Sequence, residues 1–313
     1  MIKSWIKKIL NEFVSFPRVV YALFYVNSPN KLIVQAWCKC KPFALLRQDP
    51  LAHNNWGDDI NYYFLKVIAD KKKIILYPNS ILAKWLSLKR LFFIGSIITF
   101  YSLKNAIICG SGILNGKTKY NIKGSTKKIC IVRGPLTQKT LSEKGYDCPL
   151  VYGDPALLLP LYYKPNIIKK WKICIIPHFE DFSSPIIQEI LSLNSPEIHI
   201  IRMRGYKKWT DVIDEICNCD LVFSSSLHGL IVAETYHIPN YWISLNNYVE
   251  GWNFKFKDFY FSIGKQISNP ITITKLEDFF DLYQKKNEWK VGKIDYTSIS
   301  ESIQNAINII YKL

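Results

Sequence analysis

Residues 209–242, WTDVIDEICNCDLVFSSSLHGLIVAETYHIPNYW, decide how this chain folds. Val212, Ile213 and Ile216 recur at helical spacing, residues 221–224 read as a buried strand, and a second helix runs from the polar turn to His237. A further apolar run, 241–245, follows at once, so the stretch is a βαβ unit. Its turn is Ser224, Ser225, Ser226, Leu227, His228, Gly229. Small residues there let a ligand approach the backbone, and the first amides of the next helix point unpaired from the strand's carboxyl end, as in anion sites. His228 is the only titratable side chain in the turn, and an imidazole delivers protons near neutral pH. A Ser-rich turn before a helix is also a plain N-cap, and a single His also serves as a satisfied core residue.

Outward from this unit, 313 residues predict two domains of about 150 residues each, and 49% hydrophobic content is ample for two cores. A segment rich in Tyr, Lys, Pro and Asn near 162–170 reads as the linker, giving an N-terminal domain over 1–165 and a C-terminal domain over 166–313 that carries the anion-site turn. The formal charge of +16 favours an anionic partner. The basic residues, in short groups such as Lys71 to Lys73, show no recognised nucleic-acid module or concentrated helix face, so nucleic acid is not expected. Cys109, Cys130 and Cys174 lie in apolar strand-like runs, which predicts buried free thiols in a reducing cytosol. Cys38-x-Cys40 and Cys217-x-Cys219 lack zinc-knuckle spacing, so no metal is assigned. The amino-terminal residues lack the pattern of a signal peptide, which predicts a cytoplasmic protein. The longest apolar stretch, 91–103, is short of the about 20 residues that span a bilayer and reads as a buried strand. Residues 3–26 mix Lys with Trp and Phe; they suit a peripheral site on the anionic inner face of the membrane or packing on the protein's own core.

In chain order, Asp58 and Asp59 occupy the first turn of a helix whose stripe is Ile60, Phe64, Leu65 and Ile68, where two acids complement the helix dipole. Gly110 and Gly112 follow a strand and permit close backbone approach to a ligand or mark only a tight turn. Arg133, in Arg133-Gly134-Pro135, ends another strand, where its fork suits a carboxylate or phosphate or caps a neighbouring element. His178, Arg202 and Arg204 follow strands of a second α/β series and are anion-ligand candidates or solvated loop residues. Residues 251–259, GWNFKFKDF, alternate aromatic and charged residues with period two, first of all a half-buried strand. Two tail helices are predicted over 275–286 and 294–311.

Five of these motifs, in order from Asn55 to about Asp258, resemble marks of the polysaccharide pyruvyl transferases. They are Asn55-x-Gly57-Asp58, the glycine turn, Arg133-Gly134-Pro135, Tyr152-Gly153-Asp154-Pro155 and the His228 signature; a Phe-Lys-Phe-x-Asp stretch follows the signature in a subset of those enzymes. Leu227 stands where many members have Arg, which removes one expected anion ligand. The resemblance implies an α/β protein of two Rossmann-like doubly wound domains facing a cleft (GT-B type), lined by Asn55, Gly57, Gly110, Gly112, His178, Lys255 and Lys257, with Asp154 at the domain junction. It also implies transfer of the pyruvyl group of phosphoenolpyruvate to two hydroxyls of a sugar acceptor, free or nucleotide- or lipid-linked, as a cyclic ketal. Phosphoenolpyruvate is then a co-substrate, and no cofactor is expected. Such a donor needs anion ligands and an acid to protonate its methylene carbon. His228 is the candidate acid; Arg133, Ser225, Ser226 and Gly229, with Arg202 or Arg204, are the candidate anion ligands, and Asp58 is placed to orient or deprotonate the acceptor hydroxyl. The alternatives are a GT-B glycosyltransferase using a nucleotide sugar and a non-catalytic membrane-surface scaffold of polysaccharide assembly.

Overall fold

The computed structural model describes residues 2–41, 43–69, 72–245 and 253–312. Helix α1 (Ile2–Tyr25) leads into β1 (Lys31–Gln35), α2 (Trp56–Ile68), β2 (Lys73–Tyr77), α3 (Ile81–Leu86), β3 (Arg90–Phe92), β4 (Ala106–Cys109), β5 (Lys128–Ile131) and α4 (Pro135–Ser142). The short α5 (Leu159–Tyr162) precedes a second series: β6 (Trp171–Ile176), α6 (Pro185–Leu193), β7 (Ile198–Ile200), α7 (Asp211–Cys217), β8 (Cys219–Ser224), α8 (Leu227–Thr235), β9 (Asn240–Ser244), α9 (Phe254–Ser262), β10 (Ile271–Thr272) and α10 (Glu277–Gln284). The last helix is α11 (Tyr296–Lys312).

All strand pairs are parallel, in two five-stranded sheets ordered β2-β1-β3-β4-β5 and β10-β9-β8-β6-β7. Numbered within its own half, each sheet has the order 2-1-3-4-5, the doubly wound arrangement whose ligand crevice lies between its first and third strands. Crossover helices cover both faces of such sheets, which is why the strands are apolar throughout rather than alternating. Residues from both halves merge in one core cluster, where Trp56, Leu65 and 156–159 meet Cys174, Leu230 and Ile231. Helix α11 leaves the second half and packs on β3, β4 and β5 of the first sheet. The junction between the halves is therefore a hydrophobic core, crossed by the final helix.

Three expectations are corrected. Residues 91–103 are not one strand: only Arg90–Phe92 is extended, and Gly95, at φ 109°, turns the chain into a buried loop. The alternating stretch 251–259 is not a strand either. From Phe254 it is helix α9, because Phe256, Phe259, Tyr260 and Ile263 form a buried stripe at i, i+3, i+4, i+7. Finally, Cys174 is not a free thiol; it forms a disulfide with Cys219, since neighbouring strands β6 and β8 bring their Cα atoms to 5.9 Å. Cys109 and Cys130 are buried free thiols. Lys71, Gly251 and Trp252 lie outside the described residues.

Candidate active site

The carboxyl ends of the two sheets face each other across a cleft of about 790 Å³, within the range of small-ligand sites. Both crevices open into it. From the first half come Trp37 and Lys39 after β1, Asn55 and Asp58 at the start of α2, and Ser96 after β3; from the second come His178 after β6, Arg202 and Arg204 after β7, and Ser226 and His228 after β8. Lys255, one turn into α9, completes the wall. Among the described residues no group of three or more His, Cys, Asp or Glu side chains has the geometry to hold a metal ion.

The Asn55 side chain caps α2, accepting from the Gly57 amide at 3.2 Å, and its amide donates to Asp58 Oδ2 at 2.6 Å. Burial and then the neighbouring Asp59 carboxylate raise Asp58 to about 7, against hydrogen bonding from Asn55 and the field of Lys255. The imidazole of His228 rests on the first turn of α2: a Cβ on Gly57 would lie 2.0 Å from His228 Nδ1. His228 Nε2 is buried without a hydrogen-bond partner. Burial, then Lys255 and Arg133, push the His228 pKa down to about 3, which favours the neutral imidazole at pH 7. Lys255 is held down to about 8, first by burial and then by Arg133. At the opposite wall, burial and Lys255 lower His178. The Arg204 guanidinium sits 4.4 Å from the Phe179 ring centroid and that of Arg202 4.9 Å from Phe182, which fixes two exposed cations at the rim.

Asn55, Asp58, His178, Arg202, Arg204, Ser226, His228 and Lys255 thus line one cleft. Other candidates sit behind it. Arg133 is fully buried and committed: Nε donates to Asp258 Oδ2 at 3.1 Å, Nη2 to the Ile113 carbonyl at 2.6 Å, and Nη1 to Ser96 Oγ. Asp258 also accepts from the Thr137 amide at 2.9 Å and hydroxyl at 2.6 Å, capping α4 from α9. Two motifs far apart in sequence are therefore one buried joint. Gly112 lies against it, since a Cβ there would meet Arg133 Cζ at 2.4 Å, and Gly110, at φ 100°, packs against Pro155. Gly57 and Gly229 likewise admit neighbours, the His228 ring and Ser224 Oγ with Ile176 respectively. Ser225 accepts from the His178 amide at 2.8 Å and donates to Asp181, so its hydroxyl ties two loops of the wall. Lys257 is absent from the lining; it follows Lys255 by two residues, about 200° round α9.

Sequence reasoning missed Trp37, Lys39 and Ser96. Trp37 falls within the apolar stretch 32–38 that reads as a strand, whereas β1 ends at Gln35 and releases Trp37 and Lys39 to the cleft; Ser96 likewise sits inside the apolar run 91–103. Trp37, 47% exposed, packs against Phe100 with ring centroids at 5.1 Å and planes tilted by 55°, and offers an apolar platform at the cleft.

Two doubly wound parallel sheets thus share a cleft that is cationic at the rim and holds within it an imidazole of lowered pKa and a carboxyl of raised pKa, an α/β architecture with acid–base groups in one crevice. The family model for polysaccharide pyruvyl transferases matches residues 6–247, and the chain belongs to that family, a family of transferases. It is similar to the succinoglycan biosynthesis protein ExoV of Rhizobium meliloti (strain 1021), 27% identical over 221 residues covering 68% of this chain and 62% of the relative. An uncharacterized protein of Acanthamoeba polyphaga mimivirus is 28% identical over 194 residues, 60% of this chain and 63% of that protein. The matched parts thus span less than two thirds of these curated relatives.

Proposed function

We propose that the protein moves the pyruvyl group of phosphoenolpyruvate onto two hydroxyls of a sugar in a polysaccharide or its precursor, releasing phosphate and forming a cyclic ketal. The observation that carries this reading is the meeting of Asp58, His228 and Lys255 with Arg202 and Arg204 in one cleft at both sheet crevices. Lys255, Arg202, Arg204 and the uncapped first amides of α8 supply the positive field for the donor's phosphate and carboxylate, in place of the Arg absent at Leu227.

The proton roles follow from the electrostatics. His228, pushed to about 3 by burial and two cations, enters the reaction neutral. Asp58, raised to about 7, enters it largely protonated once the donor's charges raise it further. Those same charges raise the His228 pKa, which lets its unpartnered Nε2 accept a proton as a base. In the first step a sugar hydroxyl oxygen bonds to C2 of the donor while its proton passes to His228 and Asp58 delivers a proton to C3, turning methylene into methyl. In the second, a neighbouring hydroxyl bonds to C2 and passes its proton to Asp58, while the C2–O bond to phosphate breaks and His228 gives its proton to the departing phosphate, so both side chains regain their starting states. This reverses the roles expected from the sequence for His228 and Asp58, because burial first, and then the Lys255 and Arg133 charges, oppose protonation of the imidazole.

The test is incubation of the purified protein with phosphoenolpyruvate and a panel of free, nucleotide-linked and lipid-linked sugars, reading phosphate release and product mass. Phosphoenolpyruvate alone should raise the melting temperature by mass action. Stabilisation by nucleotide sugars instead, with no phosphate released from phosphoenolpyruvate, would favour glycosyl transfer.

A further inference from the structure

Helix α1 is amphipathic in the reverse of the usual sense. The side laid on β2 and α3 presents Ser15, Val19 and Ala22, all buried. The side turned to solvent presents Ile6, Phe13 and Phe24, with Phe13 74% and Phe24 79% exposed, flanked by Trp5, Leu10 and Phe16. At about 100° per residue, the arc from Trp5 through Phe13 to Leu10 contains no charged residue. Neighbouring α3 continues it, with Ile81 68% and Trp85 77% exposed. A contiguous apolar face of this kind marks an interaction site.

We propose that this face of α1 and α3 seats the protein on an anionic lipid surface, the helices lying in the plane of the interface. The charge pattern selects that occupant. Glu12 is the only acid in the two helices, and its carboxylate is turned aside onto the start of α3, accepting from the Ile81 amide at 2.6 Å. Among the described residues, the exposed charged side chains of the two helices are the cations Lys8 and Lys84, on a chain of formal charge +16. Two copies packed face to face would oppose like charges, whereas anionic headgroups complement them. Spanning is not the mode, since no described helix is long and apolar enough to cross a membrane.

The position of the face has a consequence for access. A groove of about 460 Å³ runs from Lys8, Asn11 and Arg18 on α1 to Trp37 and Lys39, which also line the main cleft. Lys8, Asn11 and Arg18 lie on the side of α1 turned from the apolar arc, so this cationic groove opens beside the seated face and leads to the cleft.

The experiment is sedimentation of the full chain with phosphatidylcholine vesicles that contain or lack phosphatidylglycerol, alongside light scattering for oligomeric state. The wild type should pellet with the anionic vesicles and less so at high salt. Phe13→Asp combined with Phe24→Asp, and separately Trp85→Asp, should lower partitioning by about tenfold or more, equivalent to about 1.4 kcal/mol. Each should keep the wild-type melting temperature, because these side chains are exposed. Wild type left in the supernatant, variants that pellet like the wild type, or a dimer that the variants split would each overturn the proposal. None of these readouts depends on the reaction.

Discussion

Replacing Gly57 with Ala adds one methyl at the second position of α2, and its effect is calculable from the structure. The new Cβ would stand 2.0 Å from His228 Nδ1, 2.6 Å from Cγ and 2.7 Å from Cε1. Contacts between such atoms are ordinarily about 3.5 Å, so the ring must retreat by about 1.5 Å. Helix propensity favours Ala over Gly by about 0.5–1 kcal/mol, while overpacking costs about 1–3 kcal/mol. The net loss of stability is therefore at most about 2.5 kcal/mol, and the protein stays folded. Function should suffer more, because a misplacement of about 1 Å costs on the order of 10²-fold in rate. Thermal melting and steady-state phosphate release separate the two effects. In a His228→Ala background the ring is gone, so Gly57→Ala should lose its overpacking penalty, a non-additivity that reports contact. A folded Gly57→Ala protein with turnover within about twofold of wild type would refute the claim that His228 must sit on α2 for the reaction.

Other outcomes follow from the same geometry. His228→Gln should lower turnover on the order of 10²–10⁴-fold with donor binding reduced far less, measured by kcat and by ligand-induced melting shifts. With Asp58 at about 7 acting in its protonated form, kcat/KM should fall as pH rises through that value, and Asp58→Asn should be slow and lack this limb in its pH profile. Because the folded His228 pKa, about 3, lies below the unfolded 6.5, its contribution to stability is full above pH 6.5 and is lost as pH falls from there towards 3; His228→Gln should flatten that part of a denaturation series. Arg133→Ala leaves Asp258 buried without its ion-pair partner and should cost about 3–5 kcal/mol in urea denaturation. Arg133→Lys should soften the joint mainly through the loss of the fork, with phosphate-release kinetics at low temperature altered less than stability.

Much of this was legible in the sequence because parallel α/β halves write themselves locally. Apolar runs such as 221–224 and 241–245, punctuated by a Ser-rich turn and a helix ending before Pro239, specify β8, α8 and β9 with no knowledge of their neighbours. Residues that follow a strand's carboxyl end, such as His178, Arg202 and His228, fall in the cleft for the same reason. Tertiary structure decided what depends on residues far apart. Whether Arg133 faces a ligand or a carboxylate was open until α9 brought Asp258 to it across 125 positions of chain. Period two and period 3.6 were not separable over the few residues of α9, and burial of Phe256, Phe259 and Tyr260 together made it a helix. The protonation of His228 was likewise not a property of its own turn. It is set by burial against α2 and by Lys255 and Arg133, charges that only the folded chain places beside it.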